Sequence, residues 1–156
     1  LKNVLYVVGI PIGNFFDFSN RSIFILKKVD FIISEDSRKT GFLISFFNFK
    51  NKIIVLNREN EKKICFSLIN YMKNGFSAAL VSDSGTPGIS DPGNFLIKNS
   101  YLNDIKVVPI PGPSIISTVI SISPFIIDRF VFDGFLPKKK IYKEKLKCII
   151  GIINFM

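Results

Sequence analysis

Leu80-Val-Ser-Asp-Ser-Gly-Thr-Pro-Gly-Ile-Ser-Asp-Pro-Gly93 sets an apolar run directly against a loop made almost wholly of Gly, Pro, Ser and Asp. The run that leads into it, Phe76–Ser82, lacks polar alternation and is predicted as a strand buried on both faces. In the loop, Gly85, Gly88 and Gly93 permit positive φ or close backbone approach to a ligand, while Pro87 and Pro92 stiffen the segments between them. Such a loop offers backbone N–H and C=O groups to a small molecule and is read as a binding loop.

Four further apolar runs, Val4–Ile10, Phe31–Ser34, Lys52–Leu56 and Ile105–Ile110, repeat the pattern. Helix-like stretches follow the strands, at Ser19–Lys28, Thr40–Phe47, Glu61–Asn74, Gly93–Leu102 and Ser114–Ser121. Ser19 and Asn60 stand at helix starts and Asn74-Gly75 at a stop. Strand alternating with helix at this spacing predicts an α/β fold: an open, mainly parallel five-stranded sheet flanked by helices. In such a sheet, ligands bind beyond the carboxyl ends of the strands. Gly9-Ile-Pro-Ile-Gly-Asn14, Glu35-Asp-Ser-Arg38, the loop quoted above and Pro109-Ile-Pro-Gly-Pro-Ser114 would all gather on that edge. Beyond Pro124 the pattern changes, with Asp128–Phe135 reading as extended and Pro137–Lys140 as a basic linker.

The length of 156 residues suits one α/β domain. Mean hydropathy is +0.34, yet the longest apolar stretch, Ile115 to Ile127, is broken by Ser117, Thr118, Ser121, Ser123 and Pro124, so no membrane span is predicted. No secretory leader is read at the start, and the expected location is cytoplasmic. The chain has no histidine, which excludes Ser-His-Asp and Cys-His catalysis and most transition-metal sites. Cys65 and Cys148 lie far apart and support neither a disulfide framework nor a zinc site. Chemistry is left to carboxylates, hydroxyls, Lys, Arg or a cofactor, with no metal expected. The net charge of +9 suits a polyanionic partner. Abundant Lys, Phe, Ile and Asn with only two alanines also match codons rich in A and T, so charge alone does not settle a nucleic-acid partner.

Five segments carry a more specific signal: Leu5 to Asn14, Ser34-Glu-Asp-Ser-Arg-Lys-Thr-Gly41, Leu80 to Gly93, Val107-Val-Pro-Ile-Pro-Gly-Pro-Ser114 and Asp128 to Lys138. In this order they resemble the tetrapyrrole-methylase superfamily of S-adenosylmethionine (SAM) enzymes. Within it they are most similar to the branch that methylates a cytidine ribose 2′-hydroxyl in the decoding centre of 16S ribosomal RNA. The resemblance implies two domains with SAM between them: an N-terminal α/β SAM-binding domain over residues 1–124, then a linker and the start of a truncated C-terminal domain over 125–156. It implies a SAM cradle of Pro11, Asp83, Ser84, Gly85, Thr86, Pro87, Gly88, Pro111, Gly112 and Ser114. It also implies 16S rRNA within the small ribosomal subunit as partner, with a homodimer as the expected assembly and no membrane.

A ribose hydroxyl is a poor nucleophile at neutral pH, so a carboxylate is expected as general base. Glu35, Asp36 and Asp83 are the candidates, the acidic pair 35–36 reading equally as a helix cap or turn. Arg38, Lys39 and Arg58 are expected at RNA phosphates; Lys39 stands where the family pattern carries a histidine. Lys138–Lys140 reads as a solvated linker. Phe42, Phe46, Phe47 and Phe49 fit a core-facing helix better than base stacking. Two other readings stay open: a non-catalytic remnant that keeps the fold and RNA or SAM binding, and a tetrapyrrole methylase.

Overall fold

The computed structural model describes residues 2–135. Its element order is β1 (Val4–Val8), α1 (Asn20–Lys28), β2 (Phe31–Ser34), α2 (Ser37–Phe46), β3 (Lys52–Val55), α3 (Glu61–Lys73), β4 (Ser77–Val81), α4 (Asn94–Leu102), β5 (Lys106–Ile110) and α5 (Ile115–Ser121), with a single 3₁₀ turn at Phe15–Asp17. The sheet is five-stranded in the order β3-β2-β4-β1-β5 and every pairing is parallel. Register sets Val4 beside both Ser77 and Lys106, and Phe31 beside Ala78 and Lys52.

Side chains of the central strands alternate between two cores. Tyr6, Val8, Ile32, Ala79 and Val81 pack with α1 and α2 through Ile25, Leu26 and Leu43. Leu5, Ile33, Ala78 and Leu80 pack with α3 and α4 through Leu68, Met72 and Leu96. The division follows from the topology. The chain moves one way across the sheet from β1 to β3 and returns from β3 to β5. A constant hand of crossover therefore puts the first two helices on one face and the next two on the other. Pro109 sits on β5, an outer strand, where its missing N–H removes no bond to a neighbour.

Capping accounts for several boundaries. Ser19 Oγ accepts from Ser22 N (3.0 Å) at the start of α1. The second helix begins at Ser37, three residues before the expected Thr40, because Asp36 caps it by accepting from Arg38 N (2.8 Å). That phase puts Thr40 and Leu43 inward, with Phe47 half-buried below them. It overturns part of the aromatic expectation: Phe42 and Phe46 are 64% and 56% exposed, while Phe49 is buried.

The chain divides into two compact units, Leu1–Ile126 and Ile127–Met156. Within the second, residues 127–135 form no strand or helix. The basic linker Pro137–Lys140 and Cys148 lie outside the described residues. No helix among the described residues is long and apolar enough to cross a membrane.

Ala78 and Ala79, the chain's only alanines, both lie fully buried in β4, the middle strand, where helices cover both faces. Ala79→Leu should overpack the first core and destabilise the domain by about 1–3 kcal/mol. Urea unfolding followed by circular dichroism measures this, and an unchanged midpoint would contradict the tight packing.

Candidate functional site

The loops beyond β1, β4 and β5 are joined by main-chain contacts at the carboxyl edge of the sheet. Ile10 N donates to Gly85 O (2.9 Å) and Gly85 N to Ile10 O (3.1 Å). Beside them, Gly9 and Gly112 pass so closely that a Cβ on Gly112 would lie 2.6 Å from the Gly9 carbonyl oxygen. Thr86 Oγ1 donates to Pro113 O (3.2 Å) and closes the third side. Gly85 and Gly88 hold φ of +75° and +91°, a conformation glycine adopts without strain.

The far end of the long loop is pinned by α3. Glu61 Oε1 accepts from the N–H groups of Gly93 (3.0 Å), Phe95 (3.0 Å) and Leu96 (3.2 Å), placing a carboxylate at the start of α4. Arg58 Nη2 donates to Ser90 O (2.6 Å). Glu61 was expected only as a helix-start residue. Its partners lie more than thirty positions away, so no local pattern announces them.

A pocket of about 470 Å³ opens between the β1 loop and α2. Of the expected site residues, Pro11, Lys39, Asp83 and Ser84 line it; Ile12, Phe15, Thr40 and Phe42 are additions. Lys39 Nζ lies 2.6 Å from Asp83 Oδ2, and this carboxylate pushes the lysine pKa up. Asp83 Oδ1 is buried without a hydrogen-bond partner among the described residues. Gly85, Thr86, Pro87, Gly88, Pro111, Gly112 and Ser114 belong to the loops that meet at the seam, outside the pocket lining.

The acidic residues separate by environment. Both oxygens of Asp36 are engaged by Arg38, at 3.1 Å to Nε and 2.8 Å to Nη2, and this guanidinium holds the carboxyl at about 2. Glu35 makes no hydrogen bond among the described residues. Asp91, absent from the expected set although it lies in the quoted loop, has its carboxyl pushed up by burial first and then by Glu35 and Asp83. Each of the three cations expected at phosphates already has an internal partner: Arg38 has Asp36, Lys39 has Asp83, and Arg58 has the Ser90 carbonyl.

An open parallel sheet with a glycine-lined crevice at its carboxyl edge defines a small-molecule-binding α/β domain. The model of the tetrapyrrole (corrin/porphyrin) methylases matches residues 4–146, and the chain belongs to that family. It is 47% identical over 137 residues to the ribosomal RNA small subunit methyltransferase I of Buchnera aphidicola subsp. Acyrthosiphon pisum, covering 88% of this chain and 49% of the relative. The protein of the same name from Vibrio cholerae is 44% identical over 144 residues, covering 92% and 50%. The chain spans about half the length of these curated relatives. Diphthine synthase shares the fold at a TM-score of 0.59 and 19% identity, covering 76% of this chain and 47% of that one. A CobF-like protein from Corynebacterium diphtheriae does so at 0.58 and 21%, covering 83% and 61%.

The methyl donor of this family is SAM. Its ammonium and ribose hydroxyls are hydrogen-bond donors, and the buried, unpartnered Asp83 Oδ1 is an acceptor lacking one. The residues present therefore fit the cofactor.

Replacing Glu61 with Ala should strand the N–H groups at the start of α4 and cost about 2 kcal/mol, with Glu61→Gln retaining part of the loss; urea unfolding of both variants measures it. Two carboxylates should also show opposite pH dependence. Asp36 is depressed, so its stabilisation is full above 3.8 and lost as pH falls towards about 2. Asp36→Asn should accordingly be less stable than the parent at neutral pH and converge with it in acid. Asp91 is raised, which penalises the folded state at neutral pH. Asp91→Asn should be more stable there, with the gain fading as pH falls to 3.8. Unfolding midpoints across a pH series test both signs.

Proposed function

We propose that this chain is the SAM-binding part of an enzyme that methylates a cytidine ribose 2′-hydroxyl in the decoding centre of 16S rRNA. The observation that supports this most directly is the seam of three loops beside the unpartnered Asp83 oxygen. The similarity to relatives named as ribosomal RNA small subunit methyltransferase I directs the reading to RNA. Residues 1–124 form the cofactor domain, and 125–156 begin the linker and second domain. A homodimer is the proposed assembly and the cytoplasm the setting, since the proposed substrate is the small ribosomal subunit.

Pro11, Asp83–Gly88, Pro111, Gly112 and Ser114 hold the cofactor, whose sulfonium makes its methyl carbon electrophilic without a metal. The protein's own task is to orient the acceptor and remove its proton. Among the three candidate bases, Glu35 has the best claim. Asp36 is committed to Arg38 and to capping α2, and Asp83 is tied to Lys39. Glu35 carries no hydrogen bond and lies close enough to raise the pKa of Asp91. Arg38 and Arg58 serve RNA phosphates by exchanging their internal partners for the backbone, and Lys39 meets the RNA from its place beside Asp83.

Calorimetry with SAM and S-adenosylhomocysteine should give saturable binding, and labelled SAM should methylate 30S subunits in preference to a porphyrin precursor. A folded sample that binds neither nucleoside argues against the cofactor reading. Methylation of the porphyrin precursor alone transfers the chain to the tetrapyrrole branch, and salt-sensitive RNA binding without methyl transfer makes it a non-catalytic RNA binder. Glu35→Gln should lower transfer to 30S subunits by at least about 100-fold while leaving the SAM dissociation constant unchanged.

A further inference from the structure

Phe42 is 64% exposed on a helix whose other apolar positions include the buried Leu43. Its ring lies 5.6 Å from that of Phe15, which in turn packs at 4.8 Å against Phe46 in a tilted contact. Folding gives no reason to keep so much ring surface in water. The placement has a chemical sense, because Phe15 and Phe42 both line the 470 Å³ pocket, a volume ordinary for a small-molecule site. The polar members of that lining include Lys39 and Asp83, the ammonium having one of its three protons engaged by the carboxylate. An aromatic wall facing a donor–acceptor pair suits a flat heterocycle whose edge carries both an amino group and a ring or carbonyl acceptor.

We propose that the Phe15–Phe42 pocket is the acceptor-base subsite, in which one unstacked nucleobase of the RNA lies against the two rings and meets Lys39 and Asp83 with its polar edge. The inference rests on the RNA reading above and names the residues that hold the substrate base. Gly85–Gly88, Pro111, Gly112 and Ser114, which lie outside this pocket, hold most of the cofactor, while Pro11, Asp83 and Ser84 border both sites, Asp83 offering Oδ2 beside Lys39 to the base and leaving Oδ1 to the cofactor. The overall charge of +9 favours a polyanion over an uncharged or cationic partner at this mouth.

The test uses the 156-residue chain, a fluorescein-labelled single-stranded fragment of 16S rRNA carrying the target cytidine, and the same RNA with an abasic residue there. Phe15→Ala and Phe42→Ala should each weaken binding of the cytidine RNA roughly ten- to one-hundred-fold, as expected for losing base stacking, and Phe42→Trp should restore it. Affinity of the parent for the abasic RNA should fall by a similar factor, and Phe42→Ala should then cause no further loss. The salt dependence should keep its slope, since phosphate contacts are untouched. S-adenosylhomocysteine calorimetry and circular dichroism on each variant should match the parent. Unchanged RNA affinity in both alanine variants overturns the subsite alone, as does a parallel fall in S-adenosylhomocysteine affinity, which would assign the rings to the cofactor. If Phe15→Ala unfolds, Phe42→Ala with the abasic RNA decides. A parent that binds S-adenosylhomocysteine but no RNA overturns the RNA reading and the subsite together.

Discussion

The two hydrogen bonds exchanged between Ile10 and Gly85 organise the working edge of this protein. β1 lies between β4 and β5, so the loops leaving three adjacent strands must share one opening. They fit because Gly9 and Gly112 carry no side chain: a Cβ on Gly9 would fall 2.8 Å from the Gly112 Cα. The antiparallel bridge then fixes where the long loop starts, and Glu61 and Arg58 fix where it ends. A loop restrained at both ends loses little conformational entropy when a ligand arrives, so more of the contact energy remains as affinity.

The same edge shows why net charge was an uncertain guide. Arg38, Lys39 and Arg58 are the cations expected at RNA phosphates, yet in the fold each braces its own neighbourhood. Arg38 and Lys39 pair with carboxylates and Arg58 with a main-chain carbonyl, while Glu35 and Asp83 stand close enough to raise the carboxyl of Asp91. An exposed ion pair contributes little to stability, so exchanging Asp36 for a phosphate would sacrifice little. Recognition by such a surface would depend on shape and on aromatic contact as much as on charge.

Much of the fold was legible along the chain. Short Val/Ile/Leu runs without alternation report strands covered on both faces, and β2, β4 and α4 follow that reading within a residue. Ser19 was recognisable as a cap because its role is local. The start of α2 was misplaced because Asp36 can serve a loop, a cap or a catalytic site with the same residue type. The phenylalanines were misread for a separate reason: Thr40, Leu43 and Phe47 make the inward stripe of this segment, and Phe42 and Phe46 fall on the neighbouring face, which is exposed.

For the site, Pro11, Asp83 and the glycines of the long loop were recognisable because their chemistry is written in residue types that ordinary strands and helices avoid. The sequence by itself determined a parallel α/β domain with glycine- and proline-rich loops on one edge, since hydrophobic period and turn composition are properties of neighbouring residues. Only the tertiary structure decided the strand order, the Gly9–Gly112 approach, the Glu61 clamp and the meeting of Phe15, Phe42, Lys39 and Asp83 in one pocket. These unite positions tens of residues apart, and their pairing depends on which strands become neighbours, a choice made by burial and crossover hand across the whole sheet.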